Sequence, residues 1–313
     1  MSAGIKIDVK QIVGIEHIRR LFEAHISRET LENYRLPTES ADTHVLVGMS
    51  GGADSTVLGL FAAAYLAPHY PNLQFLFTDT QAEPESCYET LDAFERITGY
   101  RIERIKADKG LFGLIDQYNG FLPSARQRFC TRSLKIKPMM DFMAEIPHQD
   151  GYINLAGIRA DEANREGIEF NYKMQVSATA AFPFVELGVI RHMVFDILDR
   201  SIGIPSTYRY RSRSGCFSCF FQRNQEAIGM LVNDPHHFDA TEAKEKLAGA
   251  DKARWEHIPD TIQQLGIGAH YPVPSFIDYR EAVEAPEPSP KQVKRARQIQ
   301  RFAETAQVDL FGL

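Results

Sequence analysis

Apolar residues recur at spacings of three and four through the first forty positions, at Ile12, Ile15, Ile18, Leu21, Phe22 and Ile26. That spacing predicts helix, ended by Pro37. The pattern then changes. His44–Leu66 (HVLVGMSGGADSTVLGLFAAAYL) opens on a short β-branched apolar run, turns glycine-rich, and closes as a long alanine- and leucine-rich helical stretch. Leu73–Phe77 is a second apolar run, ending in Thr78-Asp79-Thr80. Arg101–Lys106 alternates weakly, and Tyr152–Ile158 is another candidate for a buried strand. Helical patterns separate these runs at Glu85–Thr98 and Lys135–Glu145. Strands alternating with helices imply an α/β fold, a doubly wound parallel sheet with helices on both faces. From about Arg223 the pattern is helical and polar. APEPSP (Ala285–Pro290) reads as an extended linker, Lys291–Ala306 as an exposed helix, and Gln307–Leu313 as a tail. The expected organisation is a helical segment (1–40), an α/β domain (41–222), a helical extension (223–284), and a linker, basic helix and tail peptide (285–313). There is no internal repeat.

The bulk numbers constrain partners. A hydrophobic share of 44% and a charged share of 24% over 313 residues suit a soluble globular chain. A net charge of −6 argues against wholesale electrostatic binding to nucleic acid, yet leaves room for a local basic patch. No stretch approaches the roughly 20 apolar residues of a membrane helix, and no basic-then-apolar signal opens the sequence, so a cytoplasmic location without a membrane partner is expected. The four cysteines, Cys87, Cys130, Cys216 and Cys219, do not read as a disulfide framework in a cytosolic chain.

SGGADS, Ser50 to Ser55, carries the strongest chemical signal, because it lies between a predicted strand and a predicted helix. Gly51 and Gly52 open backbone conformations closed to other residues and allow close approach to a phosphate. Successive amides then face one concavity at the positive end of the following helix. Ser50 and Ser55 add hydroxyls, Thr56 follows them, and Asp54 is expected to hold the loop or to meet magnesium. A plain strand-to-helix turn is the bland alternative. The segment is neither G-x-x-x-x-G-K-S/T nor G-x-G-x-x-G, but it has the strand–loop–helix setting that those motifs need.

SGG-x-DS is also the pyrophosphate-binding loop of PP-loop ATP pyrophosphatases, and over roughly residues 40–222 the chain resembles the phosphoadenosine-phosphosulfate (PAPS) reductase superfamily. TDTQAEPES (Thr78–Ser86) is similar to that family's DTG-x-x-x-PE strand end, with Gln81 in place of the glycine. FCTRSLKIKP (Phe129–Pro138) resembles its cysteine-bearing segment before a helix. GIRADEANR (Gly157–Arg165) resembles G-I/V-R-x-x-E-x-x-R, and FPFVELG followed by GIPSTYRYRSRSGCFSC resembles its closing segment. The resemblance implies that Asp79 and Thr80 lie against the adenosine of ATP. It also implies that Gly157, Arg159 and Arg165 face phosphate or sulfate. An arginine chosen at random is a solvated surface charge; these two follow a buried strand at the sheet's carboxyl edge, where open α/β sheets bind ligands. Asp54, Arg159, Arg165 and Lys135 are the candidate catalytic residues.

The resemblance also joins Cys130 to the C-x-x-C of Cys216 and Cys219. Iron–sulfur members of the family have two adjacent cysteines in the earlier segment, where this chain has Phe129 beside Cys130. Three thiolates could hold a 4Fe–4S cluster with one iron open to another ligand, such as the sulfide of related tRNA thiolation enzymes. Zinc with His236 or His237 as a fourth ligand, a redox C-x-x-C and ordinary buried thiols remain open. Cys87 is expected to be a plain thiol. No cysteine follows Cys219, so the E-C-G-I/L-H nucleophile of the sulfonucleotide reductases is missing.

Two basic clusters stand out. One is Lys291, Lys294, Arg295, Arg297 and Arg301, with a solvated helix face as its bland reading. The other is Arg209, Arg211 and Arg213 interleaved with Tyr208 and Tyr210, where phosphate contact and stacking on tyrosine are expected. Gln307, Val308, Asp309, Leu310 and Phe311 resemble the Q-L-S/D-L-F peptide by which bacterial proteins dock on the sliding clamp; docking onto the parent domain is the alternative. Together the resemblance implies an enzyme that binds ATP and Mg2+, cleaves between the α and β phosphates, adenylates a substrate and admits sulfur from a donor such as a cysteine desulfurase. Nucleic acid is the implied substrate, DNA favoured, with the ATP pyrophosphatase of DNA phosphorothioation as the nearest analogy. The rivals are a tRNA or small-molecule thiolase, a residual sulfonucleotide reductase, and a clamp-tethered nucleotide-binding protein of a defence or mobile-element system that does not turn over.

Overall fold

The structure, a computed structural model, describes residues 9–38, 40, 42–124, 127–145, 152–165, 178–250, 289–294 and 296–297. Its centre is a five-stranded sheet in the order β3-β2-β1-β4-β5, formed by β1 (His44–Met49), β2 (Leu73–Asp79), β3 (Ile102–Lys106), β4 (Tyr152–Leu155) and β5 (Ala178–Ala181). β1 runs parallel to both β2 and β4, and β4 parallel to β5. Val45, Leu46 and Val47 are all buried although successive side chains of a strand point to opposite faces, so both faces of β1 are covered. The weak alternation of β3 fits its place at the edge of the sheet.

The chain winds outward from β1 through β2 to β3, then returns to the other side of β1 for β4 and β5. The order therefore reverses between β1 and β4. Strands that diverge in this way leave a crevice at their carboxyl ends, the usual ligand site of an open α/β sheet.

The chain forms two compact units. The first comprises Met1–Thr78, Glu85–Ile105 and Met140–Pro205. Here α1 (Val9–Glu23) buries Ile18, Leu21 and Phe22, and α2 (Arg28–Asn33) is capped by Ser27, whose Oγ accepts from the Thr30 amide at 3.2 Å. α3 (Ala53–Phe61) is apolar almost all round and fully buried at Val57, Leu58, Leu60 and Phe61, as befits a helix against the sheet centre; it runs on as a wide turn over Ala62–Leu66. α4 (Glu85–Thr98) buries Cys87, Leu91 and Phe94 at helical spacing.

The second unit comprises Asp79–Pro84, Lys106–Met139 and Ser206–Leu313. It holds α5 (Leu111–Gln117), α6 (Phe129–Thr131) with a wide turn over Arg132–Ile136, and the start of α7 (Lys137–Glu145). Its core gathers Leu111, Ile115, Leu134, Tyr210, Phe217, Met230 and Phe238, with Phe129, Cys130 and Cys216 packed on the edge. In the first unit, α8 (Pro183–Glu186) and α9 (Arg191–Ser201) follow β5. In the second, α10 (Asn224–Asn233) and α11 (Pro235–Ala250) pack on each other, in line with the helical reading from about Arg223 onward. Further on, residues 290–294 are helical behind a reciprocal cap. The Gln292 amide donates to Ser289 Oγ (3.4 Å), and the Ser289 amide donates to Gln292 Oε1 (2.8 Å). Gln307–Phe311 lies outside the described residues. Among the described residues no helix is long and apolar enough to cross a membrane.

Candidate functional site

The segment Ser50–Ser55 joins β1 to α3 and closes on itself. Ser55 Oγ accepts from the Ser50 amide (3.1 Å), meets Ser50 Oγ (2.7 Å) and donates to the Gly52 carbonyl (3.2 Å). Gly51 sits at φ +64°, in the left-handed region, and an added Cβ would fall 2.5 Å from Cys87 Sγ and 2.7 Å from the Cys87 carbonyl oxygen. Only glycine fits there. Cys87, at the start of α4, is thus the floor of the loop, and its thiol donates to the Ser50 carbonyl at 3.1 Å. The first amides of a helix have no intrahelical acceptor, so the start of α3 is a positive, donor-rich terminus where an anion can sit. Thr56 is wholly buried, its amide spent on the Gly52 carbonyl at 3.0 Å.

Gly157, just past β4, lies against the same turn: a Cβ on it would stand 3.1 Å from the Asp54 carbonyl oxygen and 3.2 Å from the Ser55 amide. This close approach brings Arg159 to Asp54 (2.7 Å), Asp161 (2.9 Å) and Glu162 (2.8 Å). Burial alone would lower the Arg159 pKa, but hydrogen bonding and charge from Asp54, joined by Asp161 and Glu162, raise it. Burial raises the Asp54 carboxyl, and Arg159 pulls it back only in part. The guanidinium expected to face phosphate is therefore enclosed by three carboxylates, an excess of two negative charges that a divalent cation would balance. The side chain of Arg165 lies outside the described residues.

In the second unit the residues after β2 meet the thiols. The Asp79 carboxylate accepts from the Gln81 amide (2.7 Å), and Gln81 itself has φ +57°. Thr80 is buried; its hydroxyl donates to Glu83 Oε1 (2.9 Å) and contacts Cys216 Sγ (3.2 Å). Glu83, also buried, lies 3.5 Å from Cys216 Sγ and 3.8 Å from Lys135 Nζ. Cys216 and Cys219 share one turn, the Cys219 amide donating to the Cys216 carbonyl (3.1 Å), and Cys130 packs beside Cys216 on the edge of the same core. Burial first, then Glu83, pushes the Cys216 thiol up to about 12, and burial raises Cys130 as well. Three soft donors from two segments, edged by apolar packing, are the donor set that could hold a 4Fe–4S cluster on Cys130, Cys216 and Cys219. His237, a possible zinc ligand by sequence, stacks flat on Phe217 at 4.1 Å between centroids.

Residues 44–181 match the family of the phosphoadenosine phosphosulfate reductase domain. The match starts on the first residue of β1 and ends on the last of β5, so it takes in the whole sheet, the glycine loop, the Arg159 cluster and Cys130. No curated protein matches the chain. Among solved structures, the U34-tRNA thiolase NcsA from Methanococcus maripaludis with its 4Fe-4S cluster is similar at 15% identity, over 79% of this chain and 82% of that one, with a TM-score of 0.37.

The C-x-x-C lies beyond the matched span of the PAPS reductase domain and is held by its own supports. Arg211, buried, donates to the carbonyls of Gly215 (2.8 Å) and Cys216 (3.1 Å), and the Phe217 amide donates to the Ala82 carbonyl (2.9 Å). Glu226 on α10 accepts from the Ser212 amide (2.8 Å), the Ser212 hydroxyl (2.6 Å) and the Arg223 amide (2.9 Å). Burial opposes its charge, but these bonds and the charge of Arg211 hold the carboxyl below the usual glutamate range. A carboxyl lowered by folding stabilises above its unfolded pKa, about 4.3, and loses that contribution as the pH falls through the folded value. Glu226→Gln should therefore cost about 2 kcal/mol at pH 7, as a buried charge-assisted bond does, and the difference from wild type should shrink below about pH 4. Denaturant midpoints at the two pH values measure it.

The structure corrects the reading of the Tyr208–Arg213 cluster: Arg211, expected to contact phosphate, is buried with its guanidinium on the Gly215 and Cys216 carbonyls. Tyr208 and Tyr210 are buried, and the Tyr210 hydroxyl bonds to Asp234, so neither offers a face for stacking. The sequence reading also missed Glu83, Thr80 as a neighbour of Cys216, and Cys87 as the floor of the loop. The first two lie in the quoted TDTQAEPES segment, but no local signal marks a contact across more than a hundred residues.

Proposed function

We propose that this protein is an ATP-dependent PP-loop enzyme that cleaves ATP to AMP and pyrophosphate, adenylating an oxygen of its substrate so that sulfur can replace it. Nucleic acid is the proposed substrate, DNA favoured. The observation that carries this reading is the left-handed Gly51 over Cys87, which fixes a glycine loop at the amino end of α3 beside the reversal of the sheet. In this reading the loop Ser50–Ser55 at the start of α3 takes the β and γ phosphates, and Asp54, Asp161 and Glu162 around Arg159 hold Mg2+. The substrate oxygen attacks the α phosphorus, the bond to the bridging oxygen of the β phosphate breaks, and pyrophosphate leaves with that electron pair. A sulfur nucleophile then displaces AMP. A 4Fe–4S cluster on Cys130, Cys216 and Cys219 would supply an iron able to carry that sulfur, delivered by a donor such as a cysteine desulfurase. Lys135 and Glu83 set the charge around the thiols.

The test is calorimetry with Mg-ATP, followed by pyrophosphate release with DNA and a sulfide donor present. Binding without pyrophosphate under those conditions would favour the nucleotide-binding protein that does not turn over. The sliding clamp is the proposed second partner. Removing 307–313 should abolish clamp binding in a pull-down while Mg-ATP binding stays as in the full chain; unchanged clamp binding would reject the tail's role.

A further inference from the structure

Phe221 is 40% exposed, two residues past Cys219. The guanidinium of Arg213 lies 5.5 Å from the centre of its ring and that of Arg128 lies 5.3 Å from it. Arg213 also donates to the Phe221 carbonyl, which fixes one cation on the ring's own backbone. Arg128 comes from the other thiol-bearing segment, two residues before Cys130, and Arg132 follows one helical turn later with its amide on the Arg128 carbonyl at 3.3 Å. All three arginines are exposed.

Some surface arginines of this chain pair with carboxylates: Arg104 with Asp92 and Glu95, Arg28 with Glu32, Arg200 with Asp196. Arg128, Arg132 and Arg213 have no carboxylate partner among the described residues. Two guanidiniums held on one ring repel each other, and an exposed cation–π contact returns only about 0.5–1 kcal/mol each. An anion bridging both would turn that repulsion into attraction. Flat guanidinium forks match phosphate oxygens in pairs and also stack on bases, so a phosphodiester chain suits them better than the scattered carboxylates of an acidic peptide.

We propose that Arg128 and Arg213, arrayed on Phe221, together with Arg132 one helical turn after Arg128, bind the phosphate backbone of the nucleic-acid strand that this enzyme modifies, next to the two segments that carry Cys130 and Cys219. This deepens the nucleic-acid reading above and rests on it. The test is binding of a fluorescent single-stranded oligonucleotide, in DNA and RNA versions, to the full chain across a salt series. The double variant Arg128→Gln/Arg213→Gln should bind at least about tenfold more weakly at low salt. The slope of log K against log salt should fall by roughly 1.4, about 0.7 for each lost phosphate contact on a single strand. Loss should be uniform across base sequences, and Mg-ATP binding should be unchanged. Phe221→Ala, which keeps both charges but removes their platform, should weaken binding with a smaller change in slope. If wild type binds and the double variant keeps both affinity and slope, the arginine assignment is wrong while the nucleic-acid reading stands. If wild type binds no oligonucleotide at any salt, the reading itself fails. Equal affinity for a polyglutamate of matched charge, lost equally in the variant, would assign the surface to an acidic polypeptide and overturn the proposal.

Discussion

Gly51→Ala is expected to abolish measurable Mg-ATP binding. Two costs coincide at this position. A residue with a Cβ in the left-handed region loses about 1–2 kcal/mol, and the new methyl would overlap Cys87 Sγ at 2.5 Å, the Cys87 carbonyl oxygen at 2.7 Å and the Cys87 Cα at 2.9 Å. The loop can relieve that overlap only by lifting away from α4, which turns its amides off the phosphates. Losing two charge-assisted hydrogen bonds at about 1.5–3 kcal/mol each weakens binding by roughly 100-fold or more. Two controls isolate the cause. Gly188 has a similar φ of +69° with nothing within 4 Å of an added Cβ, so Gly188→Ala should show the strain alone, about 1 kcal/mol of stability, with ATP binding intact. Adding Cys87→Ala to Gly51→Ala removes the sulfur overlap but leaves both backbone overlaps, so it should not restore binding. Calorimetry and thermal unfolding read all three; wild-type affinity in Gly51→Ala would remove the phosphate-loop reading altogether.

The features legible in the sequence are those written in neighbouring residues. The β1 run, the glycine loop and the apolar α3 follow one another without interruption, so the strand–loop–helix could be read directly. β5 escaped because Ala178–Ala181 is four small residues with a single β-branched side chain, too short and too mild to show a strand pattern; its pairing with β4 supplies what its composition lacks. The direction of side chains was equally hidden. In the YRYRSR stretch the sequence shows alternating tyrosine and arginine, yet the fold buries both tyrosines and also Arg211, which it spends on the carbonyls of the cysteine turn. Exposed Phe221, outside that stretch, carries the aromatic surface instead. Arg159 was identified as a ligand-edge arginine, but its enclosure by Asp54, Asp161 and Glu162 depends on how closely Gly157 approaches α3, a distance no pattern encodes.

Anaerobically purified protein is expected to contain about four irons and four sulfides per chain, and Cys216→Ser is expected to lose most of both. Cys216 is the thiol with most to lose. Thr80 Oγ1 stands 3.2 Å from its sulfur and Glu83 3.5 Å, so the residues around it position one sulfur atom. Its turn is pinned by Arg211 and by the Phe217 amide on the Ala82 carbonyl. Serine keeps the volume and the hydrogen bonds but replaces a soft sulfur donor with a hard oxygen, which holds iron poorly at such a site. Cys130→Ser and Cys219→Ser should follow the same course, because a cluster with one iron already open cannot spare a second ligand. Cys87→Ser should retain full iron, since that thiol belongs to the floor of the glycine loop and donates to the Ser50 carbonyl. Iron and sulfide analysis beside the visible absorbance of the cluster separates these variants. Stoichiometric zinc in place of iron, or iron that survives Cys216→Ser, would end the proposal that these three cysteines hold a sulfur-bearing cluster.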